Sequence, residues 1–292
     1  MWVELLLSLS VCLPVQGWWC TGHMLVAQIA QTDLQTDSPE AFAWASSLVE
    51  ELSGPLSHNI SNSFVESACW ADDIKAYSLV AMNDWHFYAK PYNPDGLINV
   101  MEQFNGDALW AIDQLVGTLA GVNRADAPLE TSFAMRYLIH IIGDMHQPLH
   151  VTEMWNEQFP TGDWGGVFFP IEFDSIVREL HALWDSCMSR YEVNLQRPLN
   201  STGWEIVETE AAALTQLYPK SSLSKELSDP STSDWALANY RLAVTYSYNI
   251  TVGSRPTQDY LEAGWTVIQK QLALAGYRLS ALIQQLHIQT II

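Results

Sequence analysis

The stretch Leu138-Ile139-His140-Ile141-Ile142-Gly143-Asp144-Met145-His146-Gln147-Pro148-Leu149-His150 constrains this chain more than any other. It can run as a helix up to the proline, and residues four apart in a helix project from one face. His140 and Asp144 therefore stand one turn apart, a pairing that suits half of a metal site as well as an ordinary helix pair. Leu180-His181-Ala182-Leu183-Trp184-Asp185 repeats the His-x-x-x-Asp spacing within a second run of helical apolar periodicity. Two such faces turned toward each other, with His150 beside them, would enclose a metal. Imidazole nitrogen and carboxylate oxygen are ordinary zinc ligands.

The rest of the chain reads as almost entirely helical. Helical patterns cover residues 22–34, a segment opened by Pro39 and stopped at Gly54-Pro55, and residues 98–119, 130–145, 173–191, 203–217, 235–248 and 260–285. Pro91, Pro94 and Gly96 mark residues 89–97 as loop, and residues 155–170, rich in Gly, Pro and aromatic side chains, fit a loop or hairpin near a site. Residues 218–234 are the best linker candidate, yet they are too short and too central to divide the chain. The expected fold class is mainly α, a single-domain helical bundle with long loops.

Charge narrows the partners. There are 33 acidic residues against 13 basic, a formal charge of −20, which argues against gripping a polyanion through a broad basic face. Residues 5–15 form a short apolar run, and Val15 and Gly17 occupy the −3 and −1 positions of a signal-peptidase cut before Trp18, although the preceding segment has Glu4 and no Lys or Arg. The expected division is a signal peptide at 1–17 and one domain at 18–292. That places the protein outside the cell or in the lumen of the secretory or lysosomal pathway. Sequons at Asn59, Asn200 and Asn249 agree with that route as glycosylation sites. Once Cys12 leaves with the signal, Cys20, Cys69 and Cys187 remain, enough for one bridge whose partners the sequence does not choose. No membrane anchor is expected, because the apolar C-terminal segment is broken by Arg278, Gln284, Gln285 and His287. The chain is expected to act as a monomer.

Cleavage before Trp18 leaves Trp18-Trp19-Cys20-Thr21-Gly22-His23, with a free α-amine five residues ahead of a histidine. Together with Trp70-Ala71-Asp72, Trp85-His86-Phe87, His140-x-x-x-Asp144-x5-His150 and His181-x-x-x-Asp185, this start resembles the S1/P1 family of zinc-dependent nucleases and 3′-nucleotidases. The resemblance runs in order from Trp18 to Asp185 and continues more weakly through the C-terminal helices. It implies a fold shared with a bacterial phospholipase C family and three zinc ions per chain. One zinc is expected at Asp72, His86, His140 and Asp144, and a second at His150, His181 and Asp185. The third is expected at His23, Asp144 and the α-amine and carbonyl of Trp18.

The implied activity is hydrolysis of single-stranded RNA and DNA to 5′-nucleotides, together with removal of phosphate from 3′-nucleotides, by a zinc-activated water. In the same reading Asp72 orients that water and Lys75 sits near the scissile phosphate. The alternative for Lys75 is a solvated helix lysine. Phe87 would stack a nucleobase. Ala89 stands where many members have an acidic residue, and Val167 where an asparagine is common, so polar groups expected to read a base edge are missing. The alternative class of enzyme is a zinc phospholipase C acting on phosphatidylcholine-type lipids. A non-enzymatic alternative is a helical binding protein in which the histidines are structural, the role expected of His58, His146 and His287.

Overall fold

The computed structural model describes residues 18–98, 100, 106–121, 125–191 and 195–291. The expected signal peptide lies outside the described residues. Helix α1 (Cys20–Asp37) is buried from Thr21 to Ala30. A helix apolar on all sides needs partners on all sides. It finds them in α2 (Pro39–Glu50), α5 (Pro128–Asp144), α7 (Ser201–Leu217) and the long α10 (Gln258–Ile291). The approach of α1 and α10 depends on Gly276, where a Cβ would collide with Ile29.

Helix α5 opens with Pro128 at its first turn, where a missing N–H costs nothing. Every residue from Ala134 to Asp144 is buried. Arg136, fully enclosed, donates from Nη2 to Val49 O and from Nη1 to Ser61 O, both at 2.7 Å. These bonds satisfy a carbonyl at the end of α2 and fix α5 lengthwise. Helix α4 (Ala108–Gly121) packs on α5; of the helix expected at 98–119, residues 99 and 101–105 lie outside the described residues, and 106–107 are not helical. Gly106 sits at φ +91°, and the Asp107 carboxylate accepts from Trp110 N at 2.9 Å, so the chain turns there and caps the helix.

Two strands of three residues, absent from the sequence reading, matter more than their size suggests. β1 (Lys90–Tyr92) pairs in parallel with β2 (Thr152–Met154), Lys90 opposite Thr152. Each strand follows a histidine-bearing turn, Asn83–His86 and Pro148–His150 respectively. Pairing the strands therefore draws His86 and His150 together, and His150 Nδ1 lies 2.9 Å from His86 O.

The helix expected at 173–191 is much shorter. Only α6 (Leu180–Asp185) forms. Asp174 Oδ1 accepts from both Ile176 N and Val177 N at 2.7 Å, an alternative to the helix for those backbone groups. Ile171 N to Arg178 O and Leu180 N to Phe169 O, both 2.9 Å, pair the segment with the chain ahead of it. Cys187, Met188 and Ser189 then turn into the left-handed region and stop α6. Residues 218–234 are packed structure and no linker. They hold the short α8 (Ser224–Leu227), and Lys220 Nζ lies 2.8 Å from Asp33 on α1. With α3 (Trp70–Asp73) and α9 (Thr232–Leu242), the elements form one mainly helical domain.

Candidate metal centre

Four elements and two turns converge at the buried end of α5. α1 brings His23, α3 brings Asp72, the turns bring His86 and His150, α5 brings His140 and Asp144, and α6 brings His181 and Asp185. Each of these eight residues is at most 8% exposed. Three groups have ligand atoms close enough to share a metal ion: His23 with His140 and Asp144; Asp72 with His86 and His140; His150 with His181 and Asp185. Asp144, a member of the first group, also reaches the second, with Oδ1 3.3 Å from His23 Nε2 and Oδ2 2.8 Å from His86 Nδ1 and 3.2 Å from His140 Nε2. The third group is as tight, with His181 Nε2 3.1 Å from Asp185 Oδ2 and 3.2 Å from His150 Nε2.

Backbone carbonyls set the rings. Nδ1 of His140 faces Ala68 O at 2.6 Å, Nδ1 of His150 faces His86 O, and Nδ1 of His181 faces Gly165 O at 2.7 Å. A carbonyl only accepts, so each Nδ1 carries the proton and each Nε2 faces inward. Burial pushes the His86 imidazole down to about 4, with Lys75 adding to the effect, and the His150 imidazole down to about 3. These rings are neutral, as metal ligation requires. His140 goes the other way: burial lowers it, but the Asp144 and Asp72 carboxylates and two hydrogen bonds raise it to about 9. Burial would raise Asp144 and Asp72 as well, yet the surrounding histidines, and Lys75 beside Asp72, hold both below the usual carboxylate range.

Several polar atoms here have no hydrogen-bond partner: both ring nitrogens of His23, His86 Nε2 and Asp144 Oδ1. Leaving such atoms buried costs about 1–3 kcal/mol each. A resident metal ion would satisfy nitrogen and carboxylate atoms of this kind, so the donor set fits one. His146 makes the contrast. Its Nδ1 faces Ile142 O at 2.7 Å and its Nε2 accepts from Arg278 Nη1 at 2.8 Å, so both sides of the ring are taken by protein.

Trp18 is buried and its indole N–H donates to Gly143 O at 2.9 Å. Gly143 makes room for the His23 ring beside it: a Cβ there would lie 2.7 Å from His23 Nδ1. Lys75 is 6% exposed with Nζ 2.8 Å from Asp72 Oδ1, which is no solvated helix position. The Phe87 ring stacks on the His150 ring at 4.6 Å and 23°, and a recess beside it is lined by Asn83, Leu149, Glu153 and Trp164. Asn59, Asn200 and Asn249 are all exposed. Cys20 pairs with Cys69, which ties the start of α1 to the turn ahead of Asp72, and Cys187 is free and buried.

Sequence reasoning gave Gln147 no role. Its side-chain amide donates to Asp185 Oδ1 at 2.6 Å and its carbonyl accepts from Leu149 N at 2.6 Å. It thus aims a carboxylate at the third group while shaping the turn that carries His150. Its position between Asp144 and His150 was the available signal. Trp19 N reaches the same residue through Asp185 O at 2.9 Å.

A buried cluster of imidazoles and carboxylates inside a helical domain has the donor set of a metal centre. Residues 18–287 match the S1/P1 Nuclease family, and the chain belongs to it. It is 27% identical to Nuclease PA3 of a Penicillium species over 285 residues, covering 92% of this chain and 98% of that one. Nuclease P1 of Penicillium citrinum matches equally well at 27% over 285 residues, 92% of this chain and 98% of the relative. Endonuclease 3 of Arabidopsis thaliana is 24% identical over 315 residues, 98% of this chain and 95% of its own length. The protein is accordingly a nuclease, a hydrolase acting on phosphodiester bonds of nucleic acid, from a metal-dependent family. Among the described residues no helix is long and apolar enough to cross a membrane, and the disulfide fits an oxidising compartment.

Proposed function

We propose that the mature protein is a secreted, three-zinc nuclease that hydrolyses single-stranded RNA and DNA to 5′-nucleotides and removes phosphate from 3′-nucleotides. The observation that carries this reading is the set of orphaned, inward-facing histidine and carboxylate atoms around Asp144. Asp72, His86, His140 and Asp144 would hold one ion, His150, His181 and Asp185 a second, and His23, Asp144 and the Trp18 backbone a third. Bound zinc supplies a water activated near neutral pH and positive charge opposite the phosphate oxygens.

The chain's own groups do the rest. Asp72, ionised and held by Lys75, orients the attacking water. Lys75 adds a cation where negative charge grows on phosphate. Phe87, fixed against His150, offers a ring for a base splayed out of a single strand, which favours unpaired substrate. Residues 1–17 are removed as a signal peptide to free the Trp18 amine. Domain 18–292 then acts as a monomer, glycosylated at Asn59, Asn200 and Asn249.

Metal content of protein secreted with its native N-terminus, assayed beside cleavage of single-stranded RNA with and without chelator, tests the reading. About three zinc per chain and chelator-sensitive cleavage are expected; folded protein without zinc refutes it. Phosphatidylcholine, assayed in parallel, should remain intact, and its hydrolysis in preference to RNA would establish the phospholipase instead. An extension ahead of Trp18 should cost one zinc and most of the activity.

A further inference from the structure

The loop that follows β2 sets two aromatic rings in solvent beside the centre. Trp164 is 49% exposed and Phe168 55%, and the rings meet edge to face with centroids 6.0 Å apart. Adjacent rings left in water do nothing for the fold. The backbone at Trp164 is also unfavourable. Its φ of +55° lies in the left-handed region, which a bulky residue rarely enters, although Gly165 and Gly166 follow it there freely. The turn holds it regardless: Trp164 N donates to Glu153 Oε1 at 3.3 Å and Phe168 N to Asp163 O at 3.0 Å. Strain concentrated on an exposed side chain points to a task for that side chain.

Its position relative to the centre is fixed. Gly165, the next residue, holds His181 through its carbonyl, and a Cβ on it would collide with Leu149 O. Trp164 lines the recess that contains Phe87 and His150, and Phe168 meets Trp164 edge to face. A single strand whose phosphate lies at the metal centre brings a second base along with the first, and every base has a π-face. With 33 acidic and 13 basic residues the protein has little to gain from counterion release, the usual source of polymer affinity. Stacking is the source that charge does not limit.

We infer that Trp164 and Phe168 form a second stacking platform, which takes the base of the nucleotide next to the one at Phe87 and directs the enzyme toward polymer over mononucleotide. The inference rests on the nucleic-acid reading above. It is tested with Phe168→Ala, Trp164→Ala, the double variant and Trp164→Tyr, which keeps a ring. The quantity to follow is kcat/KM on a single-stranded oligonucleotide divided by kcat/KM on a 3′-mononucleotide. The ratio should fall about tenfold in the double variant and largely survive Trp164→Tyr.

A second substrate guards against a merely structural effect. Oligonucleotides made abasic in turn on either side of the cleaved position should cost the wild type a similar factor at one of the two, and cost the double variant nothing more. An unchanged ratio, or an abasic penalty that persists in the double variant, overturns the platform and leaves the nuclease standing. Wild-type enzyme that cleaves no single-stranded substrate overturns the reading on which the platform depends.

Discussion

Helix α5 and the loop between β2 and α6 both shape the metal centre, and they hold it by opposite means. On α5 the spacing of a regular helix aims His140 and Asp144, and Arg136 and the surrounding helices lock that helix in place. In the loop nothing is regular. Gly162, Trp164, Gly165 and Gly166 all take positive φ, and the turn hangs on two buried carboxylates. Glu153 accepts from Trp155 Nε1 at 3.0 Å and from Trp164 N, and Asp163 accepts from Met154 N at 2.8 Å and Tyr248 OH at 3.1 Å. Burial raises Glu153 to about 7 and Asp163 to about 6. The helix half is thus a scaffold of packing, whereas the hold of the loop half changes with protonation.

The largest expected effect falls on the helix half. Asp144→Asn removes the one carboxylate that reaches His23, His86 and His140 at once. It should lose metal and lower kcat/KM about a thousandfold or more, measured by metal analysis beside cleavage assays. Reducing the Cys20–Cys69 bridge, which spans 49 residues, should cost about 2–4 kcal/mol in a denaturant melt. It should also loosen Asp72 relative to His23, because the bridge joins their elements.

A pair of glycine substitutions sharpens the comparison. Gly165→Ala meets both a positive φ of +61° and the Leu149 carbonyl, so it should destabilise the protein by about 1–3 kcal/mol. Gly143→Ala sits in regular helix, where alanine is favoured by about 1 kcal/mol, but its methyl displaces the His23 ring. It should lose metal with little change in Tm. Equal losses of stability from the two would mean that helix and loop hold the centre in the same way.

The smallest effect is a slope. Glu153 has its folded value raised to about 7 from an ordinary 4.5, so the folded state holds the proton more tightly. Its contribution is fully present below pH 4.5 and is lost as pH rises toward 7, with Asp163 acting in the same direction up to about 6. Glu153→Gln should flatten that decline in Tm measured from pH 4.5 to 8. An unaltered slope would mean that the loop is held as independently of pH as the helix.

Much of the scaffold was legible because it obeys local rules. The apolar run of α1 and the two His-x-x-x-Asp pairs are periodic signals that survive folding unchanged. The reading overreached at residues 173–191, where Asp174 and pairing with the preceding chain drew backbone groups away from a helix. It also overreached at Gly106 and Asp107, which turn the chain ahead of α4.

By itself the sequence determined which residue types carry the chemistry and which helices present them, because side-chain direction follows from helical period alone. Only the tertiary structure decided how far apart those helices stand. It chose Cys69 over Cys187 as the partner of Cys20, and made Lys75 a buried neighbour of Asp72. It also joined Lys90 to Thr152 in a parallel pair across 62 residues, bringing His86 against His150. Such contacts depend on competition among distant segments for the same buried space. No window of sequence holds both competitors.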